Sequence, residues 1–129
     1  METMAPLTIL IADDDPLTVR VIAAALQKEG YLVVTAMDAM QALRAARHSS
    51  PAAIVMDVMM PAGSGVNALK QLKSLSQTQL IPVIAMSSSS DTGLPAQMVS
   101  LGAEEFLAKP VDLERLASVL RRLLSPSQP

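Results

Sequence analysis

The stretch LTILIADDDP, residues 7–16, decides the fold. Leu7–Ala12 is a continuous apolar run, rich in β-branched residues, and it stops abruptly at Asp13, Asp14 and Asp15. A strand with one face in water alternates apolar and polar residues. An unbroken run suits a strand covered on both faces, as in a parallel sheet. Working outward, the same kind of run returns at Tyr31–Ala36 (YLVVTA), Ala53–Met56 (AIVM) and Val83–Met86 (VIAM), with a weaker fifth at Glu105–Ala108 (EFLA).

The segments between these runs read as helices. Asp15 can cap the first, with Pro16 at its first position, Val19, Ile22 and Leu26 on one face, and Gly30 as its stop. Asp38 can cap the second, which turns Ala39, Ala42, Leu43 and Ala46 inward and ends at Ser49, Ser50 and Pro51. The third runs from Gly65 to Ser74 with Val66, Leu69 and Leu72 apolar. Gly93 and Pro95 interrupt the fourth, which is expected to be short, about 95–101. The fifth is capped by Asp112 and carries Leu113, Leu116, Leu120 and Leu123 on one side. Strand–helix alternation repeated five times is the α/β signature. Right-handed crossovers then predict an open, doubly wound parallel sheet with helices on both faces. No internal repeat or linker interrupts it. A single domain over 1–129 is expected, with its core at about 6–124 and a frayed, Pro/Ser-rich tail at 125–129.

Composition narrows the chemistry. A chain of 129 residues has room for one domain, and 50% apolar residues suffice for a core. Its mean hydropathy of +0.37 agrees. With one Tyr, one Phe, no Trp and nine Met, that core must be aliphatic, and the methionines read as core packing. Ten Lys and Arg against twelve Asp and Glu give a net charge of −2, which argues against direct nucleic-acid binding. The absence of Cys excludes disulfides, thiolate metal sites and thiol nucleophiles. The one histidine, His48, excludes any site that needs two and reads as exposed at a helix end. No apolar run approaches the roughly 18 residues of a membrane span, so no membrane insertion is expected. The opening METMAPLT lacks the basic and apolar regions of a signal peptide, so a cytoplasmic location is expected.

In doubly wound sheets the site lies at the C-terminal ends of the strands. Here those ends carry Asp13, Asp14 and Asp15, then Asp57, then Ser87, then Lys109 with Pro110 behind it. Crowded carboxylates repel, by roughly 4 kcal/mol for two unit charges about 4 Å apart at an effective dielectric of 20. Such a cluster calls for a cation. All-oxygen ligands select a hard one, Mg²⁺, with Mn²⁺ as a substitute. A hard cation, a lysine and a hydroxyl beside a carboxylate suit a phosphoryl group, and an aspartate can itself be the nucleophile.

Four strings carry a resemblance. ILIADD (residues 9–14), DVMMPAGSG (57–65), PVIAMS (82–87) and FLAKP (106–110) are similar, in order and spacing, to the signatures of response-regulator receiver domains. The resemblance covers about residues 6–124. It implies a flavodoxin-like strand order 2-1-3-4-5. It also implies Asp57 as the phosphoacceptor, and metal binding by Asp13, Asp14, Asp57 and the backbone carbonyl of Met59. By the same resemblance, Ser87 and Lys109 would hold phosphoryl oxygens, the Lys109–Pro110 bond would be cis, and Phe106 would be the aromatic that turns inward when Ser87 moves.

The function implied is a phosphorylation-dependent switch, not a turnover enzyme. Its phosphodonor would be a sensor histidine kinase or a histidine phosphotransfer protein. Its downstream protein would be met on the face of the fourth helix, fifth strand and fifth helix, by a monomer or weak dimer. Met59 and Ser89 stand at variable positions that tune hydrolysis in the family, and Met59, a poor partner for water, implies slow loss of the phosphoryl group. Two rival readings use the same residues: a receiver fold that binds partners without phosphorylation, and a phosphatase with an aspartate nucleophile on the first strand. Leu17 stands where the phosphatase motif expects Thr or Val, and that reading leaves Asp57 unexplained.

Overall fold

The computed structural model describes residues 5–60 and 65–125. Pro61 of the DVMMPAGSG string and residues 126–129 of the tail lie outside the described residues. The elements follow one another as β1 (Thr8–Ala12), α1 (Pro16–Lys28), β2 (Leu32–Ala36), α2 (Ala39–Ser49), β3 (Ala53–Asp57), α3 (Gly65–Ser74), β4 (Val83–Ser87), α4 (Leu94–Ser100), β5 (Glu105–Ala108) and α5 (Leu113–Leu124). Every strand pair is parallel, in the order β2-β1-β3-β4-β5. This is the doubly wound, flavodoxin-like α/β architecture expected from the sequence.

The unbroken apolar runs have a simple cause. Successive residues of a strand point to opposite faces, and both faces are covered. Ile9 and Ile11 of β1 join Val19, Ile22 and Leu26 of α1 and Leu116, Val119 and Leu120 of α5. Leu10 and Ala12 join Ala42 and Ala46 of α2, Leu69 and Leu72 of α3 and Met98 of α4. The edge strand differs: Leu32 is exposed, Val33 and Val34 are half-buried, and only Ala36 is fully covered. β2 also starts one residue later than the apolar run, because the Tyr31 amide donates back to the Leu26 carbonyl at 3.1 Å and closes α1.

The helix ends follow their capping residues. Asp15, Asp38 and Asp112 each accept from a first-turn amide, of Leu17, Gln41 and Arg115 respectively. Each bond satisfies a donor the helix leaves orphaned. α4 has seven residues and no side-chain cap, with Pro95 in its first turn. It begins one residue earlier than expected because Asp91 accepts from Gly93 at 2.9 Å and turns the chain into it.

Three of the seven described methionines depart from the expected packing role. Met56, Met60, Met86 and Met98 are buried, whereas Met37, Met40 and Met59 are exposed. They lie in or beside loops and on the solvent side of α2, where no opposing element is available to cover them.

A polar clamp, not read from the sequence, joins α3 to the far strands. Lys73 donates to the Ile81 carbonyl at 3.0 Å and pairs with Glu104 at 3.2 Å, while Glu104 accepts from the Val83 amide at 2.7 Å.

Candidate phosphoryl-transfer site

Register sets the site. Ala12 pairs with Met56, so Asp13 and Asp57 follow side by side at the switch point where strand order reverses. Asp57 pairs with Met86, and Ser87 pairs with Ala108, which brings Ser87 and Lys109 to the same edge. The ladders run on beyond the strands: the Asp13 amide donates to the Ala36 carbonyl at 3.0 Å, Val58 to Met86 at 3.0 Å, and Lys109 to Ser87 at 2.9 Å. These candidate residues therefore sit on or beside backbone that is still hydrogen-bonded to the sheet.

Asp57 is 5% exposed. Its Oδ2 accepts from Lys109 Nζ at 2.6 Å and its Oδ1 from the Met59 amide at 2.7 Å. Asp13 is wholly buried. Its Oδ1 accepts from the Asp15 amide at 2.9 Å. Its Oδ2 lies 2.6 Å from Lys109 Nζ, an ion-pair distance. That approach is not directed as a hydrogen bond, so Asp13 Oδ2 is buried without an aligned donor. Asp14 is exposed at the rim. Asp13, Asp14 and Asp57 each present a carboxylate oxygen within 4.8 Å of the others.

Two carboxylates, of Asp13 and Asp57, thus share one ammonium, with Asp14 beside them at the rim. Burial alone would push the Lys109 pKa down; close contact with the carboxylates of Asp13 and Asp57, and their charge, overcome it and hold the ammonium above its ordinary range. At the rim, a hydrogen bond from the Thr18 hydroxyl, with the Leu17 amide behind it, lowers the Asp15 pKa. One lysine does not neutralise the cluster. The donors are all oxygen, and one of them is buried and lacks an aligned donor. That set fits a hard divalent cation such as Mg²⁺.

Ser87 is wholly buried, and its Oγ accepts from the Ser89 amide at 3.0 Å. Ser88, Ser89 and Ser90 are exposed. Burial therefore distinguishes Ser87 among four consecutive serines. Phe106 pairs with Ala85 in register and packs, half-buried, against the core on the α4 side of the sheet. The Lys109–Pro110 peptide is cis. Met59 lends its amide to Asp57 while its side chain stands 64% exposed. His48 is exposed on α2, remote in the fold from these strand ends.

Gly65, expected only as the start of α3 and the end of the DVMMPAGSG string, has a steric role in the site. A Cβ there would lie 2.3 Å from Val58 Cα and 2.7 Å from the Val58 carbonyl oxygen. The Gly65 amide donates to that same oxygen at 3.1 Å. The start of α3 thus packs directly on the backbone that carries Asp57 and Met59. The spacing between Asp57 and Gly65 in the quoted string was the available signal. Beside Lys109 an apolar groove of about 400 Å³ opens between α1 and the turn into α5, lined among others by Leu17, Val21, Pro110, Val111 and Leu113.

Comparison with known proteins follows the same lines. The family model of the response regulator receiver domain matches residues 9–121. The response regulator PleD of Caulobacter vibrioides is 38% identical over 115 residues, which are 89% of this chain and 25% of PleD. The chain spans between a quarter and a half of the length of the first curated relatives it matches. Among solved structures, chemotaxis response regulator CheY4 of Vibrio cholerae superposes with a TM-score of 0.85 at 28% identity, covering 93% of this chain and 100% of that one. The receiver domain of sensor histidine kinase PA1611 from Pseudomonas aeruginosa, solved with magnesium coordinated in its active-site cleft, gives 0.86 at 30% identity, covering 95% and 100%.

Proposed function

This chain belongs to the response regulator receiver domain family of two-component signalling, and on that premise we propose that it is a switch set by phosphorylation of Asp57. One observation carries the reading. Asp57 ends β3 with one oxygen on Lys109 and the other on the Met59 amide, beside the carboxylates of Asp13 and Asp14. That is a nucleophile held in place and stripped of most of its water.

The donor is a phosphohistidine of a sensor histidine kinase or a histidine phosphotransfer protein. The apolar groove beside Lys109 is the face it approaches. The Asp57 carboxylate attacks phosphorus in line; the new P–O bond forms as the P–N bond breaks, and the imidazole leaves. Lys109 transfers its contact from the carboxylate to a phosphoryl oxygen and stabilises the charge there. Mg²⁺, held by Asp13, Asp14, Asp57 and the Met59 backbone carbonyl, supplies the remaining charge neutralisation when bound. Ser87 then hydrogen-bonds another phosphoryl oxygen. As it moves toward that oxygen, Phe106, on the same face of the sheet, turns into the space vacated. The face of α4, β5 and α5 changes shape, and a downstream protein that prefers one shape responds. Residues 1–129 act as one receiver domain, a monomer or weak dimer in the cytoplasm.

The test is incubation with Mg²⁺ and acetyl phosphate followed by intact-mass measurement. One added phosphoryl group is expected, absent in Asp57→Asn. No addition supports the phosphorylation-independent module instead. Sustained turnover of a phosphate ester that survives Asp57→Asn and is lost in Asp13→Asn supports the phosphatase.

A further inference from the structure

Charge is segregated in this chain in a way the phosphoryl site does not use. Between residues 39 and 90 there is one acid, Asp57, and it belongs to the site. Over the same span lie Arg44, Arg47, His48, Lys70 and Lys73. Neither α2 nor α3 contains an acidic residue. Of these cations Lys73 is paired, with Glu104. Among the described residues, Arg44, Arg47 and Lys70 have no carboxylate within ion-pair distance.

Arg44, Arg47 and His48 line a groove. It lies between α2 and α3, measures about 690 Å³, and is lined by Met40, Leu43, Arg44, Arg47, His48, Gln71 and Gln77. The α2 members recur at i, i+3, i+4, i+7 and i+8, so they form one stripe along the helix. Its first turn is apolar, and Met40 is 61% exposed there. Its last two turns are cationic. Arg47 Nε donates to Gln77 Oε1 at 3.2 Å across the groove, which fixes that guanidinium at the mouth. Favourable interaction with the helix C-terminus accounts for Arg47 and His48. It does not account for Arg44 in mid-helix, nor for the exposed Met40.

We propose that the α2–α3 groove is a second docking surface, for an acidic, amphipathic helical segment of a partner protein. Charge complementarity selects the sign of the occupant. Exposed Met and Arg together are the composition of protein interfaces. Met40 to His48 spans roughly 12 Å of helix, which matches about two turns of a partner helix laid alongside. Arg44, Arg47 and His48 are all exposed, so they surround no enclosed small anion. The stripe is also short and half apolar, unlike the longer basic track that follows a nucleic-acid backbone. This surface lies apart from Asp57 and does not rest on the phosphoryl reading.

The experiment is amide chemical-shift titration of the full chain. The first probe is a helix-stapled peptide with one Leu face and one Glu face; the second is the same peptide with Lys for Glu. The Leu/Glu peptide is expected to shift amides of α2 and α3 around Arg44, Arg47, Gln71 and Gln77. Binding should weaken at least tenfold in R44E/R47E and on raising the salt from low to moderate, and the Lys peptide should not bind there. Acetyl phosphate labelling of R44E/R47E should equal wild type, which separates this result from the fate of the phosphoryl reading. Shifts elsewhere, or binding unchanged in R44E/R47E, overturn the proposal. So does tighter binding at the groove by inorganic phosphate or a short single-stranded oligonucleotide.

Discussion

Gly65→Ala is the most demanding test of how the site is built. A methyl at this position would lie 2.3 Å from Val58 Cα, 2.6 Å from its carbonyl carbon and 2.7 Å from its oxygen. All three are backbone atoms, so no side chain can swing aside. Ordinary contact begins near 3.4 Å, so the start of α3 and the backbone at Val58 must separate by about 1.1 Å. Overpacking of this kind costs about 1–3 kcal/mol, and a rigid neighbour places this case at the upper end. Lower unfolded-state entropy returns about 0.4–1 kcal/mol. A net loss of about 2 kcal/mol remains, roughly a thirtyfold fall in the ratio of folded to unfolded protein. The control is Gly93→Ala. There φ is −85° and the added Cβ meets nothing closer than Asp91 Oδ1 at 3.5 Å, so stability should hold or rise. Urea unfolding of the pair measures the difference. Val58 sits between Asp57 and Met59, so a 1 Å displacement should also slow acetyl phosphate labelling, by up to about a hundredfold. If Gly65→Ala and Gly93→Ala unfold at the same urea concentration and label at the same rate, the close approach of α3 does not position Asp57.

Other outcomes follow from the same geometry. Lys109→Met leaves buried Asp13 and Asp57 without their ammonium and should cost about 3–5 kcal/mol, with millimolar Mg²⁺ restoring much of it; thermal melts with and without the ion measure this. The Lys109 pKa is raised in the folded state, so its stabilisation is complete below the ordinary value of 10.5 and is lost as pH rises through the higher folded value. Alkaline unfolding should therefore be shallower in Lys109→Met than in wild type, as read by circular dichroism against pH. Glu104→Ala removes the acceptor for the Val83 amide and the partner of Lys73; about 1–3 kcal/mol is expected, measured by urea unfolding. Met59→Asn places an amide where the exposed thioether cannot orient water, and loss of label from phosphorylated protein should accelerate, as followed by the decay of the phosphorylated intact mass.

Much of this was legible in one dimension because burial and register have one-dimensional signatures. The run at Leu7–Ala12 is unbroken because Ile9 and Leu10 meet different layers of helices, and that alone implies a sheet covered twice. Asp15, Asp38 and Asp112 declare helix starts because a short acceptor satisfies an amide two or three residues on. Asp57 and Lys109 could be singled out because they end strand runs, and parallel strands end at the same edge. What lacked a sequence signature was contact between segments distant along the chain. Lys109 Nζ lies 2.6 Å from both Asp13 and Asp57, and Asp13 Oδ2 is left without an aligned donor; only the packed sheet sets those distances. Four adjacent serines look alike as letters, and burial under the sheet edge is what distinguishes Ser87. Gly65 gives no sign of its role until α3 lies on the Val58 backbone. Arg44, Arg47 and His48 of α2 come to line a groove with Gln71 and Gln77 only when α2 and α3 are laid side by side. Local hydrogen bonding and periodicity are written along the chain, and they determined the elements and the edge at which they end. Steric closeness and shared charge depend on distance in space, and the tertiary structure decided those.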